Sequence, residues 1–103
     1  MYNYAGAKLK ELLKDKSITI AALGVRTNTH PGVWSQVING SKRLSVDLSI
    51  KLSKVFGAVD CKMLSDAVYI YPYSSWIHLQ HQSDLKNAIA QDGTLYRNIE
   101  PFD

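Results

Sequence analysis

Residues 19–57 are divided by helix-starting and helix-stopping residues at intervals too short for anything but small helices. Thr19 can cap a helix running from Ile20 to about Thr27. Asn28 follows, and Asn tolerates the left-handed conformation that ends helices. Thr29 or His30 can cap the next helix, with Pro31 in its first turn, where a missing N–H costs nothing. Val33, Trp34, Val37 and Ile38 give that helix an apolar side, with Trp34 expected in the core, and Asn39-Gly40 closes it. Ser41-Lys42-Arg43 is a short basic loop. Ser45 caps a further helix, with Asp47 in its first turn and Leu48, Leu52, Val55 and Phe56 inward; Gly57 ends it. Ahead of these, Ala5, Leu9, Leu12 and Leu13 fall at i, i+4, i+7 and i+8, the stripe of a first helix. Lys8, Lys10, Glu11 and Lys14 lie outward on it, and Lys16-Ser17-Ile18 breaks it. The pattern is all-α, a bundle of four to five short helices with a helical extension.

At 103 residues the chain can bury only one thin core, which excludes two-domain enzymes, large barrels and solenoids. No stretch approaches the roughly 18 uninterrupted apolar residues of a spanning helix. The opening MYNYAGAKLK lacks the apolar run of a signal peptide, so a cytoplasmic chain with no membrane partner is expected. Cys61 is the only cysteine, which excludes an internal disulfide and reads as a small buried hydrophobe. There is no phosphate-cradling glycine loop, nucleophile elbow or apolar carboxylate pair, so neither an enzyme nor a cofactor is expected. His78 and His81 lie at i, i+3 without a convincing third ligand, and read as structural or surface histidines.

Charge divides the chain. Residues 1–57 carry nine Lys/Arg against three Asp/Glu, a net of +6, and residues 58–103 carry three against six, a net of −3. The basic part suits a polyanion if its charges border a reading element. Such an element is present in the spacing of the second and third helices around Asn28, that of a helix-turn-helix, whose second member enters the DNA major groove by its N-terminal residues. Thr29, His30, Ser35 and Gln36 are the polar groups available there. Gln36 can pair bidentately with adenine, and Ser35 can reach a base or a phosphate. Pro31 and Gly32 keep the helix start slim, so that backbone N–H groups can approach a phosphate. Lys42 and Arg43 follow, where phosphate contacts set register without reading sequence. With Asn39 and Ser41 beside them, these residues make up the candidate DNA-binding set.

Residues 17–57 resemble the λ-repressor/Cro-like (XRE) helix-turn-helix family, without a gap from Ile18 through Gly57. Leu23 and Gly24 stand at the family's leucine and at a small residue that lets the helices pack closely. Asn28 stands at its turn glycine, and Trp34 and Val37 at the buried positions of the recognition helix. The run VINGSKRLSVDLSIKLSKVFG resembles the closing turn and fourth helix. Ile20 stands where relatives often carry a polar, DNA-facing residue. Within the family the nearest likeness is to HigA/VapI-type antitoxins. AGAKLKELL resembles their first helix, and SSWIHLQHQSDL their W-x-x-L-Q…D-L helix, matched by Trp76, Leu79, Gln80, Asp84 and Leu85; here Ala58–Tyr73 intervenes. The resemblance implies a λ-repressor-like bundle in residues 1–57 and a dimerisation or partner-binding extension in residues 58–103. It also implies an autoregulatory homodimeric repressor of a pseudo-palindromic operator, and neutralisation of a partner ribonuclease toxin. Alternatives are a phage or mobile-element regulator without a toxin, or an interaction module that has lost DNA binding.

In the second half, Asp60 can cap a helix containing Cys61, Leu64 and Val68, running to about Ala67 or Tyr69 and ending by Pro72. Val68–Tyr73 also alternates as a strand would. Tyr69, Tyr71 and Tyr73 suit either an interface or packing on the bundle. A last helix is expected from about Ser75 to Gln91, with Trp76, Ile77, Leu85, Ala88 and Ile89 apolar. Asp92-Gly93 would stop it, and Thr94–Asp103 would form a loosely held tail.

Overall fold

A computed structural model of the chain describes residues 2–63 and 66–91. The described residues are all-helical, with no strand among them, and the first four helices form where their punctuation places them. Asn3 opens α1 (Tyr4–Asp15): its Oδ1 accepts from Gly6 N at 3.1 Å, while its Nδ2 donates to the Val37 and Ile38 carbonyls. One side chain thus caps α1 and ties it to the end of a later helix. Thr19 Oγ1 accepts from Ala22 N at 3.1 Å to start α2 (Ile20–Thr27), and Asn28 ends it left-handed at φ 51°, ψ 46°. His30, rather than Thr29, caps α3 (Pro31–Asn39), which Gly40 closes. Ser45 Oγ accepts from Leu48 N at 3.2 Å and starts α4 (Val46–Phe56).

The segment between the fourth and last helices departs from expectation. No helix starts at Asp60. Residues 57–63 run irregularly, with Val59 and Cys61 half-buried against the core. Val59 N donates to Ser75 Oγ at 3.0 Å, which ties the segment just before Asp60 to the start of α6. Residues of the alternative strand instead enter a single helical turn, α5 (Ala67–Ile70), and α6 (Tyr73–Gln91) follows directly after Pro72. Tyr69, Ile70 and Tyr71 are exposed, while Tyr73 is half-buried with its ring 5.9 Å from that of Tyr71. Leu64, the Asp92-Gly93 stop and the Thr94–Asp103 tail lie outside the described residues.

α6 lies against α1 and α4 and completes their core. Leu9, Leu13, Leu23, Trp34, Val37, Leu48 and Leu52 are buried together with Trp76 and Leu79. Of the apolar residues expected to seat α6, Trp76 is buried, whereas Ile77, Leu85, Ala88 and Ile89 are only half-buried. The buried side is Ser75, Trp76, Leu79, Gln80 and Ser83. A polar inner face is tolerable only when its groups find partners, and these do. Ser83 Oγ accepts from Tyr4 N at 2.9 Å and Gln80 Oε1 from Leu44 N at 2.7 Å. Trp76 Nε1 donates to the Gly57 carbonyl at 3.1 Å, and Asn87 pairs with both the N–H and the carbonyl of Tyr2. No described helix is long and apolar enough to cross a membrane.

Candidate nucleic-acid interface

The turn between α2 and α3 folds back tightly on α2. Thr29 N donates to the Gly24 carbonyl at 2.9 Å. A Cβ on Gly24 would stand 2.7 Å from the Thr29 carbonyl oxygen and 3.0 Å from Pro31 Cγ, so only glycine fits this approach. Across the same junction Trp34 Nε1 donates to Thr27 Oγ1 at 3.0 Å, and Thr27 donates in turn to the Leu23 carbonyl at 2.7 Å. This buried relay, with Val37, sets the rotation of α3 on the core. Gly24→Ala is expected to destabilise the fold by about 1–3 kcal/mol, because the opposing atom is backbone and must move. Thermal unfolding followed by circular dichroism checks this; an unchanged melting temperature would mean that the turn yields freely.

With Trp34 and Val37 inward, the residues at i, i+3, i+4 and i+7 from Gly32 come together on the other side of α3. These are Gly32, Ser35, Gln36 and Asn39, of which Gln36 and Asn39 are exposed and Ser35 is half-buried. Asn39 Oδ1 accepts from Ser41 N at 2.9 Å and Ser41 Oγ at 2.7 Å, which orients the amide and organises the following turn. Lys42 is exposed, and its N–H donates to the Gln36 carbonyl at 3.2 Å, drawing the basic loop back over the end of α3.

Three expected contacts are arranged differently. The Gly32 N–H, expected to face a phosphate, donates to His30 Nδ1 at 3.0 Å, because His30 is the helix cap. Thr29 is half-buried; its hydroxyl donates to the Thr27 carbonyl at 3.0 Å and accepts from Lys51 Nζ at 2.9 Å. Arg43 is paired with Asp84 of α6, through Nε to Oδ1 at 3.1 Å and through Nη2 to Oδ2. Gln80 Nε2 also donates to Asp84 Oδ1, at 3.0 Å. Partial burial pushes the Asp84 carboxyl upward. The hydrogen bonds from Arg43 and Gln80 and the charges of Arg43 and His81 outweigh that and hold it below the usual carboxylate range. The same hydrogen bond and charge raise the Arg43 guanidinium above its ordinary value.

Lys51, Gln80 and Asp84 escape the sequence reading of the site. Lys51 lies at i+4 from Asp47, 3.6 Å from its carboxylate, and that spacing is visible in the sequence. Its reach to the start of α3 is tertiary. Gln80 and Asp84 stand out as motif residues, but nothing local says that they grip the loop at residues 43–44. Among the described residues no group of three or more His, Cys, Asp or Glu is placed to hold a metal ion. Partial burial, and then the charge of His81, lowers the pKa of His78.

Chemically, the site is a convex helix face of amide and hydroxyl groups, bordered by Lys42, Lys51 and the Arg43–Asp84 pair on an all-helical bundle. The chain matches no family model, no curated protein and no solved structure in the three comparisons made.

Proposed function

We propose that this chain is a sequence-specific repressor of double-stranded DNA. The observation that carries the reading is the outward row of Ser35, Gln36 and Asn39 on α3, set at fixed depth by Trp34, Val37 and the Thr27 relay behind it. Short polar side chains on one rigid helix face are what a major groove accepts, and amides such as Gln36 are suited to adenine. Lys42 and Lys51 lie where phosphates would pass, and would position the helix without reading bases. The likeness of residues 17–57 to the λ-repressor/Cro-like family supports the same reading, and that of residues 74–85 to HigA-type antitoxins extends it. On this reading the chain acts in the cytoplasm as a homodimer, with recognition helices about 34 Å apart on a pseudo-palindrome. It represses its own promoter and neutralises a ribonuclease toxin.

The test is fluorescence anisotropy with the duplex immediately upstream of the coding frame, against a scrambled duplex, at about 0.15 M salt. A preference of at least about 10³-fold is expected, within the range of specific regulators. Equal weak binding to both duplexes would overturn self-repression.

A further inference from the structure

The candidate interface contains a contact that a simple DNA-binding surface would not need. Arg43 lies in the loop leaving α3, yet two of its nitrogens are held by the two oxygens of one carboxylate, Asp84. A guanidinium grips a backbone phosphate in this same forked manner. The pair borders an open cleft of about 280 Å³, also lined by Asn39, Lys42 and Asn87, so a polyanion approaching Lys42 arrives beside it.

Resting on the DNA-binding reading, we propose that Asp84 is a built-in substitute for a DNA phosphate, and that competition between the two for Arg43 sets the affinity of the loop for DNA.

Three features support competition rather than assistance. The Nε and Nη2 edge, one of the two forks a guanidinium offers a phosphate, is already occupied. The pair is close to neutral as a unit, so Arg43 releases little counterion from DNA while Asp84 holds it. The Arg43 side chain is 72% exposed, and ion pairs at such exposure add little to stability, so exchange of partners is cheap. Gln80 makes the exchange orderly. Its Oε1 holds Leu44 N and its Nε2 holds Asp84, so the loop backbone and the carboxylate stay in place when the guanidinium leaves. Arg43 can therefore change partner without the loop coming away from α6.

The experiment measures binding of the full chain to the upstream duplex and to a random duplex, from 50 to 200 mM salt. Asp84→Asn is expected to tighten binding to both about 3- to 10-fold at 50 mM salt and to steepen the salt dependence by about 0.9, one phosphate contact. In an Arg43→Ala background the same change is expected to have no effect, since the contested group is gone. Asparagine keeps an acceptor for Gln80, and Asp84→Ser serves with the same expectations should the first variant fail to fold. Weaker or unchanged binding by Asp84→Asn would overturn the proposal. So would equal tightening with and without Arg43, which would mark a general charge effect. If the unaltered chain binds neither duplex, the DNA-binding reading falls and this proposal with it.

Discussion

Trp76→Ala is expected to destabilise the fold by about 3–5 kcal/mol, a large part of the total stability of a small domain. Trp76 is fully buried, and its ring packs 6.3 Å from that of Phe56. Truncation opens a cavity between α4 and α6 and also strips the Gly57 carbonyl of its donor. Trp76→Phe separates the two effects, because it keeps most of the volume and loses the N–H, and about 1–3 kcal/mol is expected. Urea unfolding monitored by circular dichroism measures both variants. An alanine variant within about 1 kcal/mol of the parent would mean that α6 is not seated on the core as described.

The second large effect falls on binding. Gln36→Ala is expected to weaken binding to the operator by about 1–3 kcal/mol, roughly 5- to 150-fold, and to leave random DNA unchanged. Lys42→Ala is expected to weaken binding to both duplexes alike and to shallow the salt dependence by about 0.9. Anisotropy titrations of the two variants against the two duplexes give the comparison directly. If both variants changed both affinities equally, neither residue would have the role assigned to it. The contrast is sharp because Gln36 is exposed on the helix face while Lys42 follows in the loop.

What the sequence made legible follows the range of the interactions involved. Thr19, Asn28, Ser45 and Gly57 act within a few residues of themselves, through caps and turn conformations, and the two helices they delimit, α2 and α4, form accordingly. The outward face of α3 was legible for the same reason, since a buried Trp34 and Val37 dictate which residues point away. Asp60 and Cys61 misled, because Val59 and Cys61 pack against the core along an irregular path that Ser75, sixteen residues on, anchors through Val59 N. The seat of α6 misled in another way. Hydrophobic periodicity favours Ile77, Leu85 and Ile89, while Ser75, Gln80 and Ser83 are the residues turned inward. Polar residues carry no hydrophobic period, and their hydrogen-bond partners lie far away in the chain. Arg43 reads as an open cation until Asp84, forty-one residues later, is placed against it.

The bonds seating α6 have a common character. Ser75, Trp76, Gln80, Ser83 and Asn87 hold Val59 N, Gly57 O, Leu44 N, Tyr4 N and both backbone groups of Tyr2. What these five side chains recognise is therefore main chain, which any residue but proline supplies at the donor positions. These bonds place no demand on the side chains at those positions, although Leu44, Tyr4 and Val59 also pack in or against the core. Exposed loop positions such as Lys42 can then be exchanged through successive substitutions while the last helix keeps its place, because Leu44 stays in the core and Ser45 keeps the cap of α4. A scaffold fastened in this manner lets the groups beside α3 drift toward new targets without a matching change elsewhere in the chain.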